Sequence, residues 1–241
     1  MTEPTILAET DDYFVLNKPA GYSVETLANT HSLVDWLQTQ YVFKHIQQSG
    51  LERGGVVHRL DVETSGAVIW AKTAAAQHEL KTLWQGRQVE KTYLALVIGE
   101  TESSGTIDLN IERDNKNDRQ KVAMLMTEKS RPAITTYKRL AIGTSTSLGV
   151  KGLGEKKISL LEVHPITGRT HQIRVHLKAI GHPIIGDKLY GEKGTDELAK
   201  SLDLSRQFLH AWKIKIQDQS FTAPLTDELE AVLEKVGLSV G

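Results

Sequence analysis

The chain has no cysteine among its 241 residues. This absence excludes disulfide bridges, thiolate catalysis and zinc sites built on cysteine, and it is typical of a reducing compartment. Only six prolines occur and no Pro/Ser-rich linker divides the chain, so we expect one domain over residues 5–237. The sequence also lacks an apolar run long enough to span a membrane and a basic-then-apolar start, which together predict a cytoplasmic protein without a membrane partner.

An excess of positive charge is missing too, since the formal net charge is −1. Nucleic-acid binders are commonly basic, so the overall charge weighs against that class. Residues 164–193 are locally basic, with five cationic side chains against two anionic ones (Arg169, Arg174, Lys178, Lys188 and Lys193 against Asp187 and Glu192). A local basic face is enough to hold a phosphate backbone.

Hydrophobic periodicity predicts both strands and helices. Apolar alternation with β-branched residues predicts strands at 13–17, 66–72, 91–98, 133–141, 157–164 and 207–216. Helical spacing predicts helices at 31–48, at 73–86, at 169–180 and after Thr226, which we expect to cap the last helix. Thr170 is the expected cap of the third helix, with Gly181 just past its end, and residues 143–157 are predicted to form an exposed hairpin or loop. Elements in this irregular order favour an α+β or mixed-sheet fold.

Common cofactor and metal motifs are absent. Gly149, Gly152 and Gly154 do not give the dinucleotide-binding spacing, and no phosphate loop of the G-x-x-x-x-G-K-[ST] type occurs. His171 and His176 are five residues apart, which does not place two ligands on one helix face. We therefore expect no nucleotide cofactor and no metal.

Three separated segments resemble a known family in their order along the chain. They are His58-Arg59-Leu60-Asp61 followed by Thr64-Ser65-Gly66, then Lys91-Thr92-Tyr93-Leu94-Ala95, and residues 165–177 with the sequence PITGRTHQIRVHL. Shorter matches are Asn17-Lys18-Pro19-Ala20-Gly21, Gly186-Asp187 with Tyr190-Gly191, and Leu209-His210-Ala211. Together they resemble the RluA-type pseudouridine synthases, which isomerise uridine in RNA without a cofactor.

The resemblance implies an α+β catalytic domain with a long mixed, mostly antiparallel sheet flanked by helices and a central RNA-binding cleft. It also implies site roles. Asp61 matches the catalytic aspartate, Arg174 the arginine that pairs with it, and Tyr93 the aromatic residue that stacks on the target base. Arg59, Arg169 and His171 are expected RNA contacts. An N-terminal S4-like RNA-binding domain, present in many relatives, is not expected before Asn17.

The chemistry requires a carboxylate near the sugar and a base outside the RNA stack. Asp61 can act covalently at the sugar or the base, or assist proton transfer from the sugar. The sequence is compatible with all three routes. Burial in a base-sized pocket would disfavour the ionised form of Asp61, and a guanidinium from Arg174 would favour it. The expected partner is ribosomal or transfer RNA with a flipped-out uridine in a stem-loop, bound by a monomer.

Simpler interpretations stand beside these roles. Tyr93 is also compatible with a core position, and His58 is expected to be a structural hydrogen-bonding residue. Basic residues between 113 and 131 alternate with acidic ones, which favours a solvated mixed-charge surface over phosphate contacts (Arg113, Lys116, Arg119, Lys121 and Arg131 with Glu112, Asp114, Asp118 and Glu128). The competing functions are a glycoside or nucleoside hydrolase that pairs Asp61 with Glu63, and an RNA-binding factor without catalysis.

Overall fold

The structure of the chain is a computed structural model that describes residues 2–40, 50–114, 117, 119–145 and 156–240. Its fold is α+β, with a large, mostly antiparallel sheet and helices, as expected. The contacts divide the chain into two compact units. The first unit holds Met1–Lys91 with Ala211–Pro224, and the second holds Thr92–His210 with Leu225–Gly241. A single catalytic domain over residues 5–237 stays a prediction.

The first unit is built on antiparallel strands in the order β1-β2-β3-β10-β11. The strand bounds are β1 Thr5–Glu9, β2 Tyr13–Lys18, β3 Ser65–Ala71, β10 Leu209–Ile216 and β11 Gln219–Thr222, with residues 211–216 of β10 in this unit. All seven residues of β3 are buried, which explains its continuous apolar sequence. Two helices, α1 Leu33–Thr39 and α2 Ala74–Gln85, complete the unit.

The side-chain cap of α2 shows how local sequence fixes an element. The side chain of Thr73 accepts a hydrogen bond from the backbone N–H of Ala76, and this bond satisfies a donor that the first helical turn leaves open. Leu80 and Ala76 then face inward, where they join the apolar core of the unit with Val15, Ile69 and other residues of β2 and β3.

The second unit contains a sheet of strands in the order β4-β9-β8-β5 and a separate hairpin, β6-β7. The strand bounds are β4 Val89–Ile98, β5 Ser104–Asp108, β6 Ile111–Asp114, β7 Arg119–Val122, β8 Ile134–Thr144 and β9 Lys157–Pro165, with residues 92–98 of β4 in this unit. Its helices are α3 Gln172–Ala179, α4 Lys193–Ser201 and α5 Asp227–Lys235. One buried apolar cluster contains a leucine from each of two strands and three helices: Leu96 of β4, Leu161 of β9, Leu177 of α3, Leu198 of α4 and Leu233 of α5. The helices of this unit therefore share one hydrophobic core with its sheet.

The helix bounds correct several predictions. Residues 41–49 of the helix predicted at 31–48 lie outside the described residues, and the described part is α1. The prediction that α3 starts at 169 and is capped by Thr170 was wrong, because the N-cap residue is His171 in a left-handed conformation with φ of 55°. Thr226 does occupy the N-cap of α5, but its side chain makes no capping bond. It accepts a hydrogen bond from Nη2 of Arg206 instead.

The end of α3 follows the predicted stop chemistry. Gly181 has φ of +83°, its N–H donates to the carbonyl of Lys178, and the N–H of His182 donates to the carbonyl of Leu177. These two bonds form a Schellman motif, which satisfies carbonyls at the helix end. Of the predicted loop at 143–157, residues 146–155 lie outside the described part, as does Lys116. Within the described part of the chain, no helix has the length and apolar character needed to cross a membrane.

Candidate active site

Asp61 lies in the first unit, in the segment of residues 56–64 that leads into β3. The segment is tied to the sheet at its start, where Val56 forms a bridge with Trp70. After Asp61 the chain turns, because the backbone N–H of Thr64 donates to the carbonyl of Asp61 at 3.0 Å. The side chain of Asp61 is partly buried, so the turn holds a carboxylate at a position that is only partly open to water.

A buried lysine fixes the same segment. The Nζ atom of Lys18, on a residue with no exposed surface, donates to the carbonyls of Pro19, Tyr22 and Val62 at 2.9, 2.7 and 2.9 Å. The carbonyl of Val62 also accepts from the N–H of Gly21 at 3.0 Å. A buried ammonium is costly unless its donors are used, and here three carbonyls use them. The residue that follows Asp61 is therefore held by a charge-assisted bond.

His58 supports the segment from the other side and stays neutral. Its Nε2 atom accepts from the backbone N–H of Ile69 at 3.0 Å, and its ring stacks on Trp84 with centroids 4.1 Å apart. Burial, with a smaller effect from the charge of Lys91, lowers the pKa of His58 to about 3. The predicted structural role of His58 is confirmed, because an imidazole that accepts a backbone N–H and cannot gain a proton at neutral pH acts as scaffold.

Arg59 points away from this scaffold. Its side chain is 62% exposed and lies 3.7 Å from Glu25, which also pairs with Arg53 at 3.1 Å. An exposed pair at that distance contributes little to stability, so the guanidinium is available to another anion.

Tyr93 lies in β4 in the second unit, opposite Val163 of β9. Its side chain is half-buried and packs against the apolar cluster of that unit. The sequence allowed Tyr93 to be either a core residue or a stacking partner for a base. The observed position is compatible with both roles, since part of the side chain packs in the core and part stays accessible.

Arg174 is buried in the second unit and paired with Asp187. Its Nε atom donates to Oδ2 of Asp187 at 2.7 Å and its Nη2 atom donates to Oδ1 at 2.8 Å. The side chains are 8% and 0% exposed, respectively. The same carboxylate accepts the backbone N–H groups of Leu189 and Tyr190, both at 3.0 Å. A bidentate pair of this kind fixes the plane of the guanidinium as well as its position.

The pair changes the electrostatic role expected of Arg174. Burial raises the pKa of Asp187, but the hydrogen bonds and charge of Arg174, together with the backbone N–H groups of Tyr190 and Leu189, lower it overall. Asp187 is therefore ionised at neutral pH and neutralises the arginine. Arg174 thus offers oriented N–H donors and little net positive charge, and it does not belong to the basic surface predicted for residues 164–193.

Tyr190 joins Arg174 to its surroundings. The guanidinium lies over its ring, 5.0 Å from the centroid. The hydroxyl accepts from the backbone N–H of Gln120 in β7 at 2.9 Å and lies 2.9 Å from Nδ1 of His171. The structure therefore brings His171 and Arg174 together around one tyrosine, and it connects both to the β6-β7 hairpin.

Arg169 and Gln172 shape the turn before α3. The side-chain oxygen of Gln172 accepts from the N–H of Arg169 at 3.0 Å and from the hydroxyl of Thr167 at 2.7 Å. Arg169 is exposed, and its Nε atom donates to the carbonyl of Pro132 at 3.2 Å. The turn presents an arginine to solvent at the start of the helix that carries Arg174.

Possible metal ligands in this region have other partners. The ring nitrogens of His176 lie 2.9 Å from the hydroxyl of Thr135 and 2.9 Å from the carbonyl of Leu109. Across the described ranges of the chain, no group of three or more His, Asp or Glu residues is placed to hold a metal ion.

The model of the RNA pseudouridylate synthase family matches residues 12–179 of this chain. The chain belongs to the RNA pseudouridylate synthase family. The match includes Asp61, Tyr93 and Arg174, while Asp187 and Tyr190, which hold Arg174, lie after it.

Named relatives of this family member cover most of its length. It is 35% identical to the ribosomal large subunit pseudouridine synthase D of Nitrosomonas europaea, over 96% of this chain and 64% of that protein. It is 40% identical to an uncharacterised RNA pseudouridine synthase of Chloroflexus aurantiacus, over 91% of this chain and 65% of that protein. The chain therefore spans somewhat less than two thirds of the length of these curated relatives.

Among solved structures, this pseudouridylate synthase relative is similar to human RNA pseudouridylate synthase domain containing 4, with a TM-score of 0.75 and 25% identity. That similarity covers 98% of this chain and 94% of the human one. Human RNA pseudouridylate synthase domain containing 1 gives a TM-score of 0.70 at 28% identity, over 95% and 87% of the two chains. The fold and the family thus agree.

Sequence reasoning missed the partners of Arg174 in this family member. Asp187 and Tyr190 belong to short segments that resemble the family, but no periodicity or charge pattern in the sequence predicted a contact with Arg174. The available signal was an isolated aspartate thirteen residues after a buried arginine, with a tyrosine three residues further on. The role of Lys18 was not predicted either, because the sequence alone does not reveal that its ammonium is fully buried.

Proposed function

We propose that the chain isomerises uridine in RNA to pseudouridine, without a cofactor. The observation that carries this proposal is the family match over residues 12–179, because it includes Asp61, Tyr93 and Arg174. The buried pair of Arg174 and Asp187 supports it, since a catalytic site needs donors that keep their orientation during the reaction.

Asp61 is the proposed catalytic carboxylate. In the reaction the bond from C1′ to N1 of the base breaks, the base turns, and a bond from C1′ to C5 forms. The hydrogen at C5 leaves as a proton and N1 gains a proton, so no atom or electron is added. Asp61 serves this rearrangement by attack on the sugar or the base or by moving a proton from the sugar. Arg174, which the family resemblance pairs with Asp61, is the second proposed catalytic residue, and its own charge is balanced by Asp187.

Tyr93 is the proposed stacking partner of the target base. Removing a uridine from the RNA stack costs a few kcal/mol, and stacking on an aromatic ring returns about 1–3 kcal/mol. The accessible part of the Tyr93 ring suits that role. Arg59, Arg169 and His171 are proposed RNA contacts, and the exposure of Arg59 and Arg169 fits binding to phosphate.

The proposed substrate is ribosomal RNA of the large subunit, presented as a stem-loop with an unpaired uridine. The names of the relatives from Nitrosomonas europaea and Zymomonas mobilis support this choice over transfer RNA. We further propose that residues 5–237 act as one catalytic domain, that the protein binds RNA as a monomer, and that it works in the cytoplasm.

Tritium release tests this function. RNA transcribed with 5-tritiated uridine loses its label when the bond from C1′ to C5 forms, so release into water reports isomerisation. We expect release from large-subunit ribosomal RNA by the wild-type chain and none above background by Asp61→Asn, which keeps the shape of the side chain and removes the charge. Equal release by Asp61→Asn, or no release by the wild type at stoichiometric enzyme from ribosomal and transfer RNA, would overturn the proposal.

A further inference from the structure

An exposed apolar tip follows strand β7 in the second unit. It consists of Met124, Leu125 and Met126, which are 91%, 78% and 85% exposed. Large apolar side chains are common at protein surfaces one at a time, but three in a row with so little burial mark a contact surface. Neither the fold nor the proposed catalytic residues account for this segment.

The backbone on both sides of the tip is held in place. Before the tip, the N–H of Ala123 donates to the carbonyl of Asn110 at 2.8 Å. After the tip, the N–H of Arg131 donates to the carbonyl of Ile111 at 2.8 Å, so the two ends bond to adjacent residues at the start of β6. A turn at Thr127 and Ser130 closes the excursion, with the N–H of Thr127 donating to the hydroxyl of Ser130 at 3.0 Å. The apolar side chains therefore project from a braced loop.

The loop is anchored to the helix of the candidate site. Ile111 and Ala133 pack in one buried cluster with Val175 of α3 and with Tyr190. Tyr190 also accepts the N–H of Gln120 in β7 and lies under Arg174. The tip therefore stands on the same framework as Arg174 and His171.

The residues around the tip carry mixed charge with a small positive excess, which is compatible with a polyanion as its partner. Among the described residues from 111 to 131, five side chains are basic and three are acidic (Arg113, Arg119, Lys121, Lys129 and Arg131 against Glu112, Asp114 and Glu128). Lys121 and Arg119 lie near Glu112 and Asp114, at 3.2 and 3.7 Å. The surface is thus apolar at the tip and moderately basic beside it. This combination suits RNA, because unstacked bases can contact the apolar side chains while phosphates contact the basic ones.

We propose that residues 124–126 form an apolar wedge that packs against unstacked bases of the RNA substrate. The proposal rests on the function proposed above and extends it to a contact outside the three candidate catalytic residues. Methionine and leucine are among the side chains that insert between base steps and separate them. A wedge beside the helix of Arg174 would help to hold open the RNA from which a uridine has been removed.

Binding of RNA to the variant Met124→Ser, Leu125→Ser, Met126→Ser tests the wedge. The probe is a large-subunit ribosomal RNA transcript carrying 5-tritiated uridine. We expect Kd and KM to rise about ten-fold, which corresponds to a loss of about 1.4 kcal/mol of binding free energy. We expect kcat at saturating RNA to stay within about two-fold, because the wedge does not touch the reacting atoms. Leu27→Ser is the matched control, as Leu27 is another exposed apolar residue, 52% exposed, in the first unit.

The salt dependence of Kd separates an apolar contact from an electrostatic one. The slope of log Kd against log salt should stay at its wild-type value in the triple variant, whereas Lys129→Gln should lower it by about one if that lysine meets a phosphate. A Kd within two-fold of wild type, or a slope lowered in the triple variant, would overturn the wedge and point to another partner for the tip, such as a protein. Because Kd is read without turnover, an unchanged Kd rejects the wedge alone, whereas absent tritium release by the wild type rejects the proposed function.

Discussion

Replacing Asp187 with alanine should destabilise the chain strongly, although Asp187 is not one of the proposed catalytic residues. The substitution leaves the guanidinium of Arg174 buried without its anion, and removing one partner of a buried pair costs about 3–5 kcal/mol. The N–H groups of Leu189 and Tyr190 also lose their acceptor, at about 1 kcal/mol or more each. Because these losses share one site and are not additive, we expect a fall of about 4–5 kcal/mol in the free energy of unfolding.

The assay must report on the second unit. All four tryptophans, Trp36, Trp70, Trp84 and Trp212, belong to the first unit, so tryptophan fluorescence is a poor probe of this change. Urea unfolding followed by circular dichroism, with amide hydrogen exchange in β8, β9 and α3, measures the relevant stability.

Glu90→Ala is the matched control. Glu90 also bonds a basic partner at 3.0 Å, the Nζ atom of Lys215, but the side chain of Glu90 is 70% exposed. Its loss should change stability little, because exposed pairs are screened by solvent. A loss of stability in Asp187→Ala no larger than that in Glu90→Ala would refute the reasoning, since burial is the main difference between the two pairs.

The pH dependence of the Asp187 contribution has a definite sign. Since the folded-state pKa of Asp187 is lowered, its stabilising effect is complete above the unfolded-state value near pH 4 and is lost as pH falls through the lower folded-state pKa. The difference in stability between wild type and Asp187→Asn should therefore be constant at neutral pH and shrink in acid. A difference that grows below pH 4 would contradict the assignment.

Three further changes test the framework around the candidate site. His58 should show no titration between pH 5 and 8 by NMR, because burial lowers its folded-state pKa to about 3. Below pH 6.5 the unfolded imidazole gains a proton that the buried one does not, so His58 contributes a loss of stability of about 1.4 kcal/mol per pH unit, and His58→Gln should reduce the pH slope of stability by that amount. Lys18→Met should lower the stability of the first unit by about 2–4 kcal/mol, measured by tryptophan fluorescence in urea, since its carbonyl partners lose a buried donor; an unchanged midpoint would show that the ammonium is dispensable. Tyr190→Phe should cost about 1–2 kcal/mol, because the N–H of Gln120 loses its acceptor, and hydrogen exchange at Gln120 should accelerate; unchanged protection there would argue against the link between hairpin and helix.

Hydrophobic periodicity was sufficient to predict the strands and helices that are rich in apolar residues. Strand β3 was predicted at 66–72 and observed at Ser65–Ala71, because a strand buried on both faces has a continuous apolar sequence. Strands β6 and β7 were missed, since they are four residues long and mostly charged. Helix α4, Lys193–Ser201, was also missed, because its capping box uses Glu192 and Thr195 in the reverse of the usual order.

Tertiary contacts determined the start of α3 and the burial of Arg174, which local sequence patterns did not predict. The predicted cap at Thr170 failed because the side chain of Gln172 bonds the turn before α3, which delays the helix to Gln172 and leaves His171 at positive φ. Arg174 fell at a position where the sequence allowed a solvent-facing side chain. The burial of Arg174 depends on its pair with Asp187. Because the two residues belong to different segments, hydrophobic periodicity does not predict that pair.

The first unit is discontinuous in the sequence, and this has a consequence for how the protein is made. Strand β3 is complete by Ala71, but its neighbour β10 is synthesised only after almost all of the second unit. Until then one edge of β3, whose residues are all buried in the folded chain, has no neighbouring strand, and such edges invite pairing with other chains. A ribosome-bound or truncated chain that ends before residue 209 should therefore aggregate or need a chaperone, and a fragment of residues 1–91 should not be used as a stand-in for the unit that carries Asp61.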